Sequence, residues 1–548
     1  MPDGRRSSHG GDAVSAETYA ERSERERGKL RRELRRFDTI FFLISAMVVV
    51  DTIGAIAVGG AQAFTWLIVL FLFFFVPSAL ASAELGAALP EEGGAYVWVR
   101  RSFGRYPAGV TSLLYWAGTP MWLGGSVTVV AIAVYGRFFG DLSRPGMFVF
   151  GTVFIVVATI GAVVPLRYGK WVPTTGAISQ IALLAFFTVT VIIYGTRHGI
   201  HGIVVGDFAP SYLVFIAIVP ILLYSFVGIE LPTSAAEEMV DPRRDIPVAI
   251  GRAGVGQLLM YGVPILAVLL VLPPSQVTSL HGLIDAMKTV FTVYGGTTAP
   301  DGSAELTGAG AVIGAVCAIV FIWILAASGS AWTIGAGRAQ AAACLEGAGP
   351  AWLGHISART GVPVRIGLVS GGLALVMMVV DLVVTGGDGQ RYFSAALTLA
   401  VSLIVLAYLL IFPTFVALRI KEPGLDRPFR VPGGTGVAWV ITLVATGWAF
   451  LAAVCLLWPG FGTPDPDAAL PAGFAGDRAG FELLVLGPII ALLVVHSLFY
   501  VVHDRRHRVR VGDAHVRMPE QRAPSHGTSV AVTSTDLVPA REREPDSV

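Results

Sequence analysis

Between residues 38 and 503 the chain returns twelve times to an apolar run of more than 20 residues. Each run is as long as a tilted helix needs to cross about 30 Å of hydrocarbon. In lipid every backbone N–H and C=O must be satisfied within the protein. Uninterrupted runs of this length satisfy them as helices, so the runs predict a bundle of twelve membrane helices. Their approximate limits are 38–60, 64–89, 106–135, 146–166, 171–195, 212–238, 248–272, 307–338, 363–384, 392–420, 436–458 and 481–503. Only 14% of residues are charged and mean hydropathy is +0.69, against about a quarter charged in soluble domains.

Charge then orients the chain. With the N-terminus inside, fifteen Arg and Lys residues fall in the loops on that side. Six (Arg137, Arg144, Arg197, Lys288, Arg391 and Arg478) fall on the other. The positive-inside bias therefore predicts a plasma-membrane protein with both termini in the cytoplasm. Residues 1–37 read as a charged cytoplasmic tail with no cleavable signal, and residues 504–548 as a disordered cytoplasmic tail. Residues 91–105 predict a helix lying at the inner interface, and residues 279–293 a short external helix. His503 and His507 around Arg505 and Arg506 read as a basic patch near lipid.

The net charge of +1 gives no reason to expect nucleic-acid binding. Cys317, Cys344 and Cys455 are scattered and form neither metal spacing nor a disulfide framework. His198 and His201 read as solvated loop residues. There is no nucleophile–base motif, phosphate loop or zinc spacing, so the composition argues against an enzyme and against a resident cofactor or metal.

Two runs are interrupted in the same way. Span 1 contains Asp51–Thr52–Ile53–Gly54–Ala55, and span 6 contains Tyr224–Ser225–Phe226–Val227–Gly228–Ile229–Glu230. A glycine costs a helix about 1 kcal/mol, and a charged side chain at bilayer depth roughly 3 kcal/mol. A chain that only had to span lipid would use leucine at both positions. Interruptions five spans apart point to inverted repeats with a site at the midplane. The domain reading is one transporter unit, 38–503, with repeats at 38–195 and 212–420 and appended helices at 436–503. A plainer reading of span 6 is a kink with a bundle-facing Glu230.

Four stretches carry a resemblance. They are Pro77–Gly86 with Pro90–Tyr96; Gly228–Glu230 with Glu237–Glu238 and Asp241–Pro247; Trp332–Thr333 with Ala336–Arg338 and Gly347–Pro350; and Pro428–Pro432. In this order and spacing the chain resembles an amino acid–polyamine–organocation (APC) permease over nearly all of residues 38–503. The resemblance implies an all-α LeuT-type fold of 5+5 inverted repeats, with helices 1 and 6 broken and helices 11 and 12 appended. It also implies a substrate site between spans 1, 3, 6 and 8. The substrate carboxylate would meet free N–H groups of Ile53, Gly54 and Ala55. The amino group would meet free carbonyls of Phe226, Val227 and Gly228. Both assignments agree with the polarity of helix ends. Ile56 stands where the family usually has a second glycine. Tyr224 and Trp332 match aromatic substrate-contacting and gating positions of the arginine/agmatine exchanger branch, although aromatics also pack in bundles for structural reasons.

Three roles stand open for Asp51: pairing with a substrate cation, carrying a coupled proton, or capping the broken helix. Glu230 matches a family gating position, and Glu84 reads as structural. Ser328 and Ser330 on span 8 could offer oxygens to a sodium ion, or simply bond to neighbouring helices. Span 5 lacks the lysine that replaces sodium in some relatives, so the coupling ion stays between H+ and Na+. The expected function is secondary transport of amino acids by alternating access. The alternatives are a polyamine or organic-cation permease and, less favoured, an amino acid sensor that does not transport.

Overall fold

The computed structural model describes residues 19–273, 276–299, 303–384, 389–471 and 473–516. Within them, nine helices are long and apolar enough to cross a membrane. They are Gln62–Ala88 (span 2), Arg105–Phe139 (3), Arg144–Val163 (4), Leu166–His198 (5), Pro242–Val271 (7), Gly308–Leu345 (8), Gly389–Lys421 (10), Gly434–Leu457 (11) and Arg478–Val502 (12). Val364–Val384 forms span 9. The other two spans are broken. Span 1 is Arg36–Met47 followed by Thr52–Ala57. Span 6 is Tyr212–Tyr224 followed by the 3₁₀ turns Leu231–Glu238. The fold is the expected all-α, twelve-span bundle.

Spans 3, 5, 8 and 10 form the frame around the two broken helices, with span 3 packed along span 10 and span 5 along span 8. Small residues make the close approaches. A Cβ on Gly124 of span 3 would collide with the Ala374 carbonyl of span 9, and one on Gly176 of span 5 would collide with the Ala327 methyl of span 8. Lipid-facing surfaces keep their apolar side chains exposed, as at Val149, Val153 and Ile160 on span 4.

Four local expectations are corrected. The N-terminal region is more than a tail. Tyr19–Arg27 is helical, and the strand-like stretch after it pairs Leu34 with Met239 beyond span 6. Arg27 donates to Glu237 at 3.1 Å and to the Glu92 carbonyl at 3.3 Å, so this charge docks on the bundle. The interface helix exists as Ala95–Phe103, but Tyr96, Val97, Trp98 and Val99 are at most 1% exposed. It is wedged into the protein, where the Tyr96 hydroxyl donates to Glu346 at 2.8 Å. The helix of span 12 continues to Val516, because a formed helix propagates easily and no proline follows until Pro519. Side chains of the His503–His507 patch, with residues 1–18 and 517–548, lie outside the described residues. Asp51 makes no side-chain cap to the second half of span 1. The short helix of the 7–8 loop is present as Gly282–Phe291.

The face carrying the N-terminal segment, here called the terminal face, is held by ion pairs. Arg338 makes a two-pronged contact with Glu238 and lies 3.6 Å from Glu92. Arg419 grips Glu84 through two nitrogens, at 2.9 and 2.5 Å, which bears out a structural reading of Glu84.

Candidate functional site

A helix ends with carbonyls that have no partner in the next turn. At bilayer depth those of span 1 need substitutes, and neighbouring elements supply them. Trp332 Nε1 donates to the Ala46 carbonyl at 2.8 Å. Gln180 Nε2 of span 5 donates to the Val48 carbonyl at 2.5 Å. Gln257 Nε2 of span 7 lies 3.4 Å from the Met47 carbonyl and also donates to the Ser225 carbonyl in the break of span 6. Thr52 Oγ1 donates to the Val49 carbonyl at 2.8 Å, and the Tyr261 hydroxyl accepts from the Val49 N–H at 2.8 Å. The two breaks are therefore fixed geometries, tied together through Gln257.

Gly228 makes the break in span 6. Its φ of +93° lies where L side chains are strained, and a Cβ there would stand 3.1 Å from the Trp332 ring. Its N–H donates to the Tyr408 hydroxyl of span 10 at 3.0 Å. Tyr408 in turn donates to Glu230, its oxygen 3.0 Å from both carboxylate oxygens, while Tyr115 of span 3 donates to the same group at 2.6 Å. Glu230 thus links spans 3, 6 and 10.

Asp51 is 3% exposed and sits between the two halves of span 1. Its Oδ2 accepts from Trp122 Nε1 at 3.1 Å and from Ser126 Oγ at 3.0 Å. Both donors lie in Trp122–Val127, where span 3 widens into a π-helical turn; such turns recur at functional sites. Asp51 Oδ1 is buried and has no hydrogen-bond partner among the described residues. The Trp332 ring lies beside Tyr115, Trp122 and Tyr224, with centroids 5.8, 6.2 and 6.4 Å away. One cluster thus holds two carboxylates and four aromatic rings. The buried arginines Arg338 and Arg419 are committed to other carboxylates on the terminal face.

Of the residues singled out in the sequence, Asp51, Tyr224, Gly228, Glu230 and Trp332 lie in one cluster. The backbone groups differ in part. Ile53 N–H reaches the Val50 carbonyl at 3.4 Å, and the Gly228 carbonyl accepts from Leu231 N–H at 3.0 Å. Gly54 faces the 7–8 loop: a Cβ there would be 2.7 Å from the Ser279 carbonyl. Ala55 lines a neighbouring cavity of about 250 Å³ with Val58, Ile218 and Leu397. Phe226 and Val227 are buried in the break. Ser328 and Ser330 do not share one site. Positions two apart on a helix diverge by about 200°, and Ser330 Oγ faces Gly161 of span 4. Ser328 shares the face of Trp332, one turn away. The sequence reading missed Tyr115, Trp122, Ser126, Gln180, Gln257, Tyr261 and Tyr408. Among the described residues no group of three or more His, Cys, Asp or Glu is placed to hold a metal.

Two broken helices around a buried acid, inside a twelve-span bundle, are the architecture of the LeuT fold class. The chain belongs to the amino acid permease family, which matches residues 34–470. It is 25% identical over 75% of its length to a probable agmatine/putrescine antiporter from Lactococcus lactis, covering 84% of that protein. It is 21% identical over 79% of its length to a glutamate/gamma-aminobutyrate antiporter from the same species, again covering 84%. Among solved structures it resembles MhsT in complex with L-phenylalanine, with a TM-score of 0.53, 14% identity, and coverage of 78% of this chain and 98% of that one. It also resembles a manganese transporter from Eremococcus coleocola, with a TM-score of 0.50, 13% identity, and coverage of 86% and 94%. At these identities the two structures speak to fold alone. Family and relatives are transporters, not enzymes.

Proposed function

We propose that this transporter exchanges small organic amines across the plasma membrane, with both termini cytoplasmic. The observation that carries the reading is the open Oδ1 of Asp51 beside an aromatic cluster. An ionised carboxylate in a closed apolar site is costly without a partner. A protonated amine is that partner, and the faces of Trp332, Trp122 and Tyr224 suit a cation. The class covers diamines, guanidino amines and cationic amino acids. The probable agmatine/putrescine antiporter among the relatives supports it. Between substrates, a proton on Asp51 takes the place of the amine. That favours H+ over Na+ as the coupling ion, since the carbonyls ending span 1 are occupied by side chains.

A second reading, a zwitterionic amino acid, is favoured by the unwinding of span 1 next to Ile53–Ala55. The test is counterflow in proteoliposomes loaded with putrescine, agmatine, arginine or a neutral amino acid. Labelled amine should enter only against internal amine. Exchange of neutral amino acids that amines neither drive nor inhibit would overturn the proposal in favour of the second reading.

A further inference from the structure

A second charged hollow lies far from the transport site, where spans 1, 5 and 7 reach the terminal face. It is a cavity of about 500 Å³ between the stretch before span 1, the start of span 5 and the 6–7 loop. Four cations line it: Arg32, Arg35, Arg167 and Lys170. Two acids, Glu33 and Asp38, line it as well, so two positive charges are uncompensated. Of the four cations only Lys170 is satisfied, 2.8 Å from Asp38 and 3.0 Å from the Glu33 carbonyl. Arg32, Arg35 and Arg167 are exposed and form no ion pair with any described residue. Glu33 Oε2 is buried and has no hydrogen-bond partner among the described residues.

Phe37 and Val240 line the cavity, and Tyr168 and Trp171 are the chain neighbours of its Arg167 and Lys170. Phe37, Tyr168, Trp171 and Val240 are each more than half exposed. Trp and Tyr at the start of a span mark the level of lipid headgroups. The guanidinium of Arg167 lies 4.5 Å from the Tyr168 ring centroid, beside the ring that marks that level. Unpaired guanidinium groups in a hollow at headgroup depth match a phosphodiester, which they bind as a fork. The orphan oxygen of Glu33 accepts a hydrogen bond, which a headgroup hydroxyl can donate and an ionised phosphate cannot.

We infer that this hollow binds the headgroup of an anionic phospholipid with a hydroxylated headgroup, of the phosphatidylglycerol class, its acyl chains lying along Phe37 and Trp171. The phosphate meets Arg32, Arg35 and Arg167, and a headgroup hydroxyl meets Glu33. The lipid would tie the N-terminal segment to span 5 on the face that must open to release substrate.

Native mass spectrometry of the detergent-purified full chain tests this. Phosphatidylglycerol, phosphatidic acid, phosphatidylcholine and inorganic phosphate are each titrated against wild type, the R32Q/R35Q/R167Q variant and E33Q. The three arginines are exposed and unpaired, so the triple variant should melt like wild type. Wild type should retain phosphatidylglycerol over phosphatidylcholine, and the triple variant should bind it about tenfold more weakly. E33Q should narrow the preference for phosphatidylglycerol over phosphatidic acid. Equal retention by wild type and the triple variant would overturn the site. Displacement of the lipid by inorganic phosphate would overturn the lipid as its occupant.

Discussion

The indole N–H of Trp122 donates to the carboxylate of Asp51 at 3.1 Å, joining the widened turn of span 3 to the break of span 1. Ser126, four residues on, makes the second bond to the same oxygen. Two donors hold one face of the carboxylate so that the other oxygen stays open. A bond to a charged group contributes about 1.5–3 kcal/mol. Trp122→Phe should therefore weaken amine affinity about tenfold to a hundredfold while the protein still folds and turns over. Unchanged KM would show that Asp51 needs no such positioning.

Gln257 joins the two breaks, donating to the Ser225 carbonyl and lying near that of Met47. Gln257→Leu keeps the volume and removes the donor. Each buried carbonyl left unsatisfied costs about 1–3 kcal/mol, so the variant should unfold at lower temperature than wild type in the same detergent. An equal midpoint would mean that neighbouring groups move in to replace the amide.

Gly54 is where the 7–8 loop closes on span 1. An alanine Cβ would stand 2.7 Å from the Ser279 carbonyl and 3.2 Å from that of Thr278, both backbone atoms that cannot rotate away. In Gly54→Ala the loop should be displaced from span 1. A Ser279→Cys reporter should then label faster with a water-soluble thiol reagent than the same reporter with Gly54 intact. Equal labelling with and without the Gly54→Ala change would remove this role.

His281 lies in the same loop. Burial, aided by the charge of Arg137, pushes its imidazole from 6.5 down to about 4. It shares a cavity with Arg137 and Asp141. The docked loop therefore holds the neutral ring, whereas a displaced loop takes up a proton more readily. As pH falls through 6.5 toward 4, docking should weaken. Hydrogen exchange in residues 276–283 should speed up on acidification in wild type and not in His281→Asn. The same acid response in both would assign it to another group.

The sequence carried the spans and the two breaks because length, glycine and buried charge are local signals. Asp51, Gly228 and Glu230 stood out for being costly where they are. Their partners did not. Trp122 and Ser126 meet Asp51 only because one turn of span 3 is widened, which no residue pattern announces, although Pro120 and Gly124–Gly125 mark an unusual helix. Gln180 and Gln257 look like ordinary polar residues of membrane helices until the orphan carbonyls they serve are in place. The charged run before span 1 read only as a tail because its partners are distant in sequence: Arg27 meets Glu237, 210 residues on. Ser328 and Ser330 looked like a pair, yet the turn of the helix sends them to different neighbours.

The central claim is that Asp51 is the anchor for a substrate amine. The direct measurement is binding of putrescine and agmatine by calorimetry to purified wild type, Asp51→Asn and Asp51→Glu, with folding checked by thermal melting. Asparagine keeps the shape and can still accept from Trp122 and Ser126, but it removes the charge. The account predicts that Asp51→Asn melts as wild type does and binds amines at least about tenfold more weakly, with part of the affinity restored by Asp51→Glu. Wild-type amine affinity in Asp51→Asn would contradict it and return the site to a neutral or zwitterionic substrate.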